Sequence, residues 1–103
     1  MFDYTNQVRA FERMIALDPF SLSRSAQVLW MRLNSIVDRQ RKSLTVHIYH
    51  KELEKLLGGS ETIRRDAVNE LVQSKLITFR NGMRNNPPMY QIKLLYREGG
   101  DGK

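Results

Sequence analysis

The sequence predicts a mostly helical α+β domain, with elements in the order helix, helix, strand, helix, helix, strand, strand. Three observations favour this class. Apolar residues recur every three to four positions in four separate segments, which is typical of amphipathic helices. A short segment rich in β-branched residues separates the second helix from the third, and two alternating segments follow the fourth. At 103 residues and 41% hydrophobic content, the chain suits one domain with a modest core.

The first two helices are predicted from apolar stripes with clear boundaries. The first stripe stops at Asp18-Pro19 and consists of Tyr4, Val8, Phe11 and Ile15. Ser23 is the predicted N-cap of the second helix, which ends at the polar run "DRQRKS". The apolar face of this second helix consists of Ala26, Leu29, Trp30, Leu33, Ile36 and Val37.

The second half of the chain predicts a strand at residues 44–49 and a helix of about two turns that ends at Gly58-Gly59. Ser60 is the predicted N-cap of the next helix. Its buried face is expected to consist of Ile63, Ala67, Val68, Leu71 and Val72, which leaves Arg64, Arg65 and Asn69 exposed. Residues 76–80 and 89–96 alternate as two strands of a hairpin, with Phe79 and Tyr90 as cross-strand core partners.

This order of elements corresponds to a known architecture. Two helices joined by a Gly-containing turn form a helix-turn-helix, and a hairpin directly after them forms a wing. We therefore predict a winged helix-turn-helix domain, order α-α-β-α-α-β-β, over residues 1–97. Residues 98–103 have no apolar content and are predicted to be a disordered Gly-rich tail or the beginning of a linker.

Positive charge is concentrated in two parts of the chain. The sequence has 17 Lys and Arg against 11 Asp and Glu, a net charge of +6. Residues 24–42 carry five cationic side chains against Asp38, and residues 60–97 carry seven against three carboxylates, so each block has a net charge of +4. Such an excess favours a polyanionic partner.

Double-stranded DNA is the partner that a winged helix predicts, because the second helix of the motif enters the major groove. The predicted DNA-binding residues on this helix are Thr62, Arg64, Arg65 and Asn69, and those of the wing are Arg80, Arg84 and Asn85. Arg41 and Lys42 are expected to add phosphate contacts if the fold brings them to the same side. The alternative is that Arg64 and Arg65 are surface charges that pair with Asp66 or Glu61 and do not meet DNA.

Other classes of function have little support in the sequence. His47 and His50 are spaced as metal ligands can be, but no third convergent ligand accompanies them. The chain has no cysteine and no Gly-rich phosphate loop, and its serines have no nucleophile-elbow context. We therefore expect neither catalysis nor a cofactor nor a metal. The charged N-terminal segment is neither a signal peptide nor a membrane span, so an intracellular protein without a membrane partner is expected.

Two segments resemble a known family. "FSLSRSAQVLWMRLNSIVDR" resembles the second helix of phage replication proteins of the DnaD type, in their N-terminal winged-helix domain. "NELVQSKLITFRNGMRNNPPMYQI" resembles the end of that domain, with Asn69-Glu70-Leu71 before the wing and Tyr90 after it. The resemblance covers residues 3–96. One departure is Arg64, which occupies a position that is usually apolar in the family, and Ile63 is expected to take the apolar role instead.

The resemblance implies a role in phage or prophage DNA replication, in the cytoplasm of a bacterial host cell. It also implies self-association, because that family's N-terminal domain is associated with oligomerisation, and contact with replication proteins such as a helicase loader. The candidate oligomerisation residues are Phe2, Tyr4, Met14 and Phe20. Two alternatives to DNA binding in replication thus stay open: an interaction or oligomerisation module of an initiation complex, and a transcriptional regulator.

Overall fold

The computed structural model describes residues 2–97 of the chain, so the predicted tail at 98–103 lies outside the described residues. Within that range the protein is a mostly helical α+β fold with four helices and one three-stranded antiparallel sheet. The helices are α1 (Tyr4–Leu17), α2 (Arg24–Gln40), α3 (His50–Leu57) and α4 (Glu61–Gln73), and the strands are β1 (Thr45–His47), β2 (Ile77–Arg80) and β3 (Met89–Ile92). The order of elements is the one predicted from the sequence.

The predicted helix boundaries are confirmed by the hydrogen bonds at the helix ends. The Ser23 hydroxyl accepts from the amide of Ala26 at 3.2 Å and so caps α2. The Ser60 hydroxyl accepts from the amide of Ile63 at 3.4 Å and caps α4. Gly58 ends α3 in the left-handed conformation, with φ of 65°, which glycine adopts without strain.

The core is built around α2, which packs against all three other helices and against β1 and β3. Leu29, Trp30 and Leu33 are fully buried, and the Phe11 ring of α1 lies 5.6 Å from the Trp30 ring. The predicted apolar stripe lies on one face of α1, and Phe11 is its one residue in the buried core. The rest of that stripe, Tyr4, Val8 and Ile15, is half-buried and lines an open groove between α1 and α2.

The sheet has the strand order β1-β3-β2, so β3 lies between the other two strands. Phe79 and Tyr90 are directly paired across β2 and β3, with ring centroids 5.0 Å apart. The predicted core pair is thus confirmed, and Tyr90 is completely buried. The loop between β2 and β3 lies at the His47 end of β1, because His47 pairs with Met89 and Thr45 pairs with Gln91.

The strands β1 and β3 are both shorter than predicted. The sheet pairing of β1 covers residues 45–47 and that of β3 ends at Ile92, not at residue 96. After Ile92 the Lys93 amide still donates to the Leu76 carbonyl at 2.9 Å, and the fully buried Gln7 of α1 contacts the segment that follows. The Gln7 side-chain amide donates to the Lys93 carbonyl at 2.8 Å and accepts from the Leu95 amide at 2.8 Å. It also donates to the Asn34 side chain of α2 at 2.9 Å.

Replacement of Gln7 is therefore expected to loosen α1 and the segment after β3 together. Gln7→Leu removes three hydrogen bonds and leaves the buried Asn34 side-chain oxygen and two partly buried backbone groups without these partners, so we expect a loss of about 3 kcal/mol in the free energy of unfolding. Urea denaturation checks this value. Gln73→Leu, at an exposed position on α4, is the matched control and is expected to change it by less than about 0.5 kcal/mol. Equal effects of the two variants would contradict the assigned role of Gln7.

Candidate nucleic-acid interface

Three of the predicted DNA-binding residues form one exposed stripe on α4. Thr62, Arg65 and Asn69 are separated by three and four positions, which places them on a common helix face. The opposite face of α4 packs into the core through Ala67, Val68 and Leu71. The stripe is therefore displayed on a helix that cannot rotate without exposing this apolar face.

Arg65 is paired within its own helix. Its guanidinium donates to the Glu61 carboxylate at 3.0 Å, and the two side chains are 58% and 66% exposed. An exposed pair at this spacing contributes only a few tenths of a kcal/mol. The alternative interpretation, in which Arg65 forms a surface ion pair with Glu61, thus describes the structure. Breaking this pair to bind another anion would cost little free energy.

Arg64 does not belong to the exposed stripe. The residue is 7% exposed, and its Nε donates to the Glu54 carboxylate of α3 at 2.9 Å. The prediction that Arg64 faces a DNA groove is therefore wrong, and so is the prediction that Ile63 replaces it in the core, since Ile63 is 41% exposed. Arg64 lies one helical turn before Ala67 and Val68, on the buried face. Its aliphatic stem fills an apolar position while its charged end meets the carboxylate.

The surroundings of Arg64 contain two further polar groups with shifted pKa values. Burial and the nearby Arg64 charge lower the pKa of His50, which is therefore neutral at pH 7. Burial raises the pKa of the Tyr90 hydroxyl, and the Arg64 charge opposes that effect only in part. Within residues 2–97, His50 Nε2 and the Tyr90 hydroxyl are buried without a hydrogen-bond partner. Arg64 and Glu54 thus form a largely buried ion pair beside these two groups, and the exposed Lys51 lies 3.9 Å from the same carboxylate.

The β2–β3 loop, residues 81–88, folds back on itself in a defined turn. The Asn86 amide donates to the Met83 carbonyl at 2.8 Å, and Arg84 inside this turn has a left-handed backbone with φ of 45°. A Cβ atom at Gly82 would lie 2.2 Å from the Asn86 carbonyl oxygen. Only glycine permits this close approach of the two sides of the loop.

The same loop is attached to the start of α3. The Tyr49 hydroxyl donates to the Asn85 carbonyl at 3.0 Å, and the Ile48 amide donates to the Pro88 carbonyl at 3.2 Å. Met83 at the loop tip is 74% exposed, and Arg80, Arg84 and Asn85 are also exposed. The cationic tip is thus carried by a loop whose Asn85 and Pro88 carbonyls are held by hydrogen bonds.

The α4 stripe and the base of the loop meet at a depression of 470 Å³. Arg65 and Asn69 line it from α4, and Phe79 and Asn81 line it from β2 and the loop. The remaining lining residues are His50, Glu61, Arg64, Val68 and Val72. The structure therefore brings Arg65 and Asn69 into one concave surface with the loop, and Arg84 and Asn85 project at the outer end of that loop.

Arg41 and Lys42 lie elsewhere. They precede β1 at the Thr45 end, whereas the loop joins β2 and β3 at the His47 end. Both residues are exposed and line a different pocket, together with Phe2, Leu94 and Tyr96. Arg41 and Lys42 were expected to contact phosphates only if they lay on the same side as the α4 stripe, and they do not.

The four candidate oligomerisation residues do not form one patch. Phe20 is 94% exposed in the α1–α2 turn, whereas Met14 is half-buried against the core. Tyr4 lines the groove between α1 and α2, and Phe2 lies beside the Tyr96 ring at 6.4 Å. Sequence analysis missed Leu17, which is 88% exposed near Phe20. Its position outside the apolar stripe of α1 is the signal that could have identified it.

No protein-family model, curated protein or solved structure matches this chain. Among residues 2–97, no helix is long and apolar enough to cross a membrane. The same residues contain no group of three or more metal-ligating side chains that could hold an ion.

The buried ion pair generates a prediction about stability. Arg64→Met leaves the Glu54 carboxylate, whose side chain is 12% exposed, without its partner. We expect this variant to lose about 3 kcal/mol in the free energy of unfolding, as seen when one partner of a buried pair is removed. Thermal denaturation measures the loss.

The double variant Arg64→Met/Glu54→Leu is the control, because it removes both charges and keeps apolar volume at both sites. We expect it to recover most of the lost stability. A double variant as unstable as the single one would show that the pair is not the reason why Arg64 is needed.

Proposed function

We propose that this chain is a winged helix-turn-helix domain that binds double-stranded DNA. The order of elements and the sheet order β1-β3-β2 support this architecture. In this proposal α3 and α4, joined through Gly58 and Gly59, form the helix-turn-helix, and α4 is the recognition helix. The β2–β3 loop is the wing.

The observation that carries the proposal is the exposed stripe of Thr62, Arg65 and Asn69 beside the attached cationic loop. A helix fits the major groove, where arginine can pair with guanine and asparagine with adenine through two hydrogen bonds. The opposite face of α4 is buried, and these three side chains are exposed and available for base contacts.

The wing supplies a second contact. Arg80 and Arg84 are exposed, and the loop that holds Arg84 is constrained by Gly82 and by the Tyr49–Asn85 hydrogen bond. A constrained loop loses little conformational entropy when it binds, so its charges can contact phosphates or a minor groove efficiently. Asn85 lies next to Arg84 and offers a side-chain amide for the same backbone.

Replication is the biological setting that we propose, on the resemblance of residues 3–96 to the DnaD type. Within that setting the domain would bind duplex DNA during assembly of a phage or prophage replication complex, with a helicase loader as one class of protein partner. A transcriptional regulator would use the same DNA-binding face. A regulator requires one preferred sequence, whereas assembly of a replication complex also tolerates weak sequence preference.

Fluorescence anisotropy with labelled mixed-sequence duplex DNA tests the proposal. We expect binding of the wild type to weaken by more than about tenfold between about 50 and 200 mM salt, because bound counterions are released from the phosphates. Arg65→Ala/Arg84→Ala is expected to weaken binding by about tenfold and to reduce the salt slope by about 2. Arg64 is kept, because its loss is expected to destabilise the domain and would confuse the result.

Arg9→Ala/Arg13→Ala is the matched control, since both residues are exposed on α1 and carry the same charge. It is expected to change the affinity by less than about twofold. An absence of binding at low salt would refute the proposal. Equal losses in the two double variants would show attraction by net charge without a defined DNA face.

A protein-interaction module is the second candidate function, and one observation favours it. The groove between α1 and α2 has a volume of 750 Å³ and its apolar lining includes Val8, Ile15, Val28 and Met31, with Glu12, Arg24 and Arg32 as its charged lining residues. Apolar grooves of this kind accept an amphipathic helix. Self-association through this region would bury apolar area and would persist at high salt, unlike DNA binding.

Sedimentation velocity over a range of protein concentrations tests this second candidate. If the groove mediates self-association, Val8→Ser/Met31→Ser, which changes one lining residue on each helix, is expected to sediment as a monomer where the wild type does not, by a loss of affinity of about tenfold or more. Met83→Ser, at an exposed apolar residue in the β2–β3 loop, is the control and is expected to behave as the wild type. A wild type that stays monomeric at every concentration would exclude self-association.

A further inference from the structure

A pocket of 290 Å³ lies at the end of the sheet that is remote from the β2–β3 loop. We name it the end pocket. Its apolar lining consists of Phe2, Val37, Leu44, Leu94 and Tyr96. These residues come from the start of the chain, the end of α2, the α2–β1 loop and the segment after β3. Pockets for drug-sized ligands begin at about 300 Å³, so a pocket of this size fits one large side chain.

Hydrogen bonds hold the walls of the end pocket in place. The Gln40 side chain donates to the Ser43 carbonyl at 2.9 Å and to the Thr45 carbonyl at 2.8 Å, which fixes the α2–β1 loop. On the opposite wall, the Asp3 amide donates to the Tyr96 hydroxyl at 2.7 Å. Gln7 fixes the backbone on both sides of Leu94 through Lys93 and Leu95. The pocket is thus formed before any partner arrives.

The rim of the end pocket is cationic. Arg41 and Lys42 line it and are exposed, with Asp38 as the one carboxylate in the lining. Neither cation makes an ion pair with any residue of 2–97. Exposed Arg39 and Arg97 adjoin the lining residues in the sequence, as does the exposed Asp3.

Arg41 also has an unfavourable backbone for its residue type. It ends α2 in the left-handed region with φ of 53°, a conformation that costs a side-chain-bearing residue about 1 kcal/mol and that glycine adopts freely. A cation at a helix C-terminus has a local electrostatic benefit, so this strain alone does not assign a function. The guanidinium of Arg41 thus borders the pocket from a backbone position that would suit glycine.

We propose that the end pocket binds a single large apolar side chain from an acidic segment of a partner protein. The apolar residue enters the pocket, and the acidic residues beside it contact Arg41 and Lys42. The apolar lining distinguishes this surface from a site for nucleic acid, because a phosphate backbone needs surface cations and gains nothing from an apolar cavity. The site lies away from the α4 stripe, so the partner and the proposed DNA can bind at the same time.

An NMR titration tests the proposal with a defined probe, the peptide acetyl-Asp-Glu-Asp-Phe-Glu-Asp-Glu-amide. We expect saturable amide shifts at Leu44, Leu94 and Tyr96. The same peptide with alanine in place of phenylalanine is expected to bind at least about fivefold more weakly, because the pocket then stays unfilled. Equal affinity for the two peptides, or shifts that map to another surface, would overturn the proposal.

Two glycine variants test the rim. Arg41→Gly removes the charge at a backbone position that suits glycine, so the fold is expected to be retained and the peptide affinity to fall by about fivefold. Lys75→Gly is the matched control: Lys75 also has a left-handed backbone, with φ of 63°, follows a helix end and does not line the end pocket. It is expected to change the peptide affinity by less than about twofold.

Equal losses of affinity in Arg41→Gly and Lys75→Gly would overturn the proposal, since the peptide would then respond to net charge. The same two variants also separate the two classes of partner. If Arg41→Gly weakens duplex DNA binding and leaves the peptide titration unchanged, the rim is part of a DNA surface and the proposal fails. The melting temperatures of both variants are measured alongside, to verify that each affinity is measured on folded protein.

Discussion

The surface on which the proposed function depends is held in position by one buried ion pair. Arg64 and Glu54 join α4 to α3 at 2.9 Å, in a region where both side chains are almost inaccessible to water. α3 has only eight residues and could not persist without tertiary contacts. The pair therefore links a short helix to the helix that carries Thr62, Arg65 and Asn69. It fixes the orientation of α4 relative to α3, which apolar contacts alone would leave less specific. Buried polar contacts are known to have this orienting role in some proteins.

Most of the fold could be predicted because its signals are local. Ser23, Ser60 and Gly58 mark helix ends by side-chain or backbone chemistry that acts within a few residues. Phe79 and Tyr90 could be paired because alternation in the two strands defines their common face. The failures arose where distant residues intervene. Gln7 binds the segment after β3 from the other end of the chain, and no pattern near Ile92 indicates that contact.

The candidate site was predictable in part, for the same physical reason. Arg65, Asn69 and the cationic loop were identified because helix periodicity and a polar hairpin connection are readable in the sequence. Arg64 was placed wrongly because a charged side chain was assumed to face water. The spacing from Arg64 to Ala67, Val68 and Leu71 did place it on the buried face, and Glu54 was the unseen partner that made burial possible. Arg41 and Lys42 could not be located, because their side depends on how β1 pairs with β3.

The contact between Asp3 and Tyr96 has a consequence for how this domain can be built into larger architectures. Asp3 and Tyr96 are separated by 93 positions in the chain and are joined by a 2.7 Å hydrogen bond, so the two ends of the described fold lie close together in space. A domain whose two boundary residues touch can replace a single surface turn in a host protein without straining either partner. Asp3 and Tyr96 meet at the end of the sheet that is remote from the β2–β3 loop, so a host protein fused there would leave the exposed α4 stripe uncovered. Modularity of this kind follows from the fold alone, whatever the domain binds.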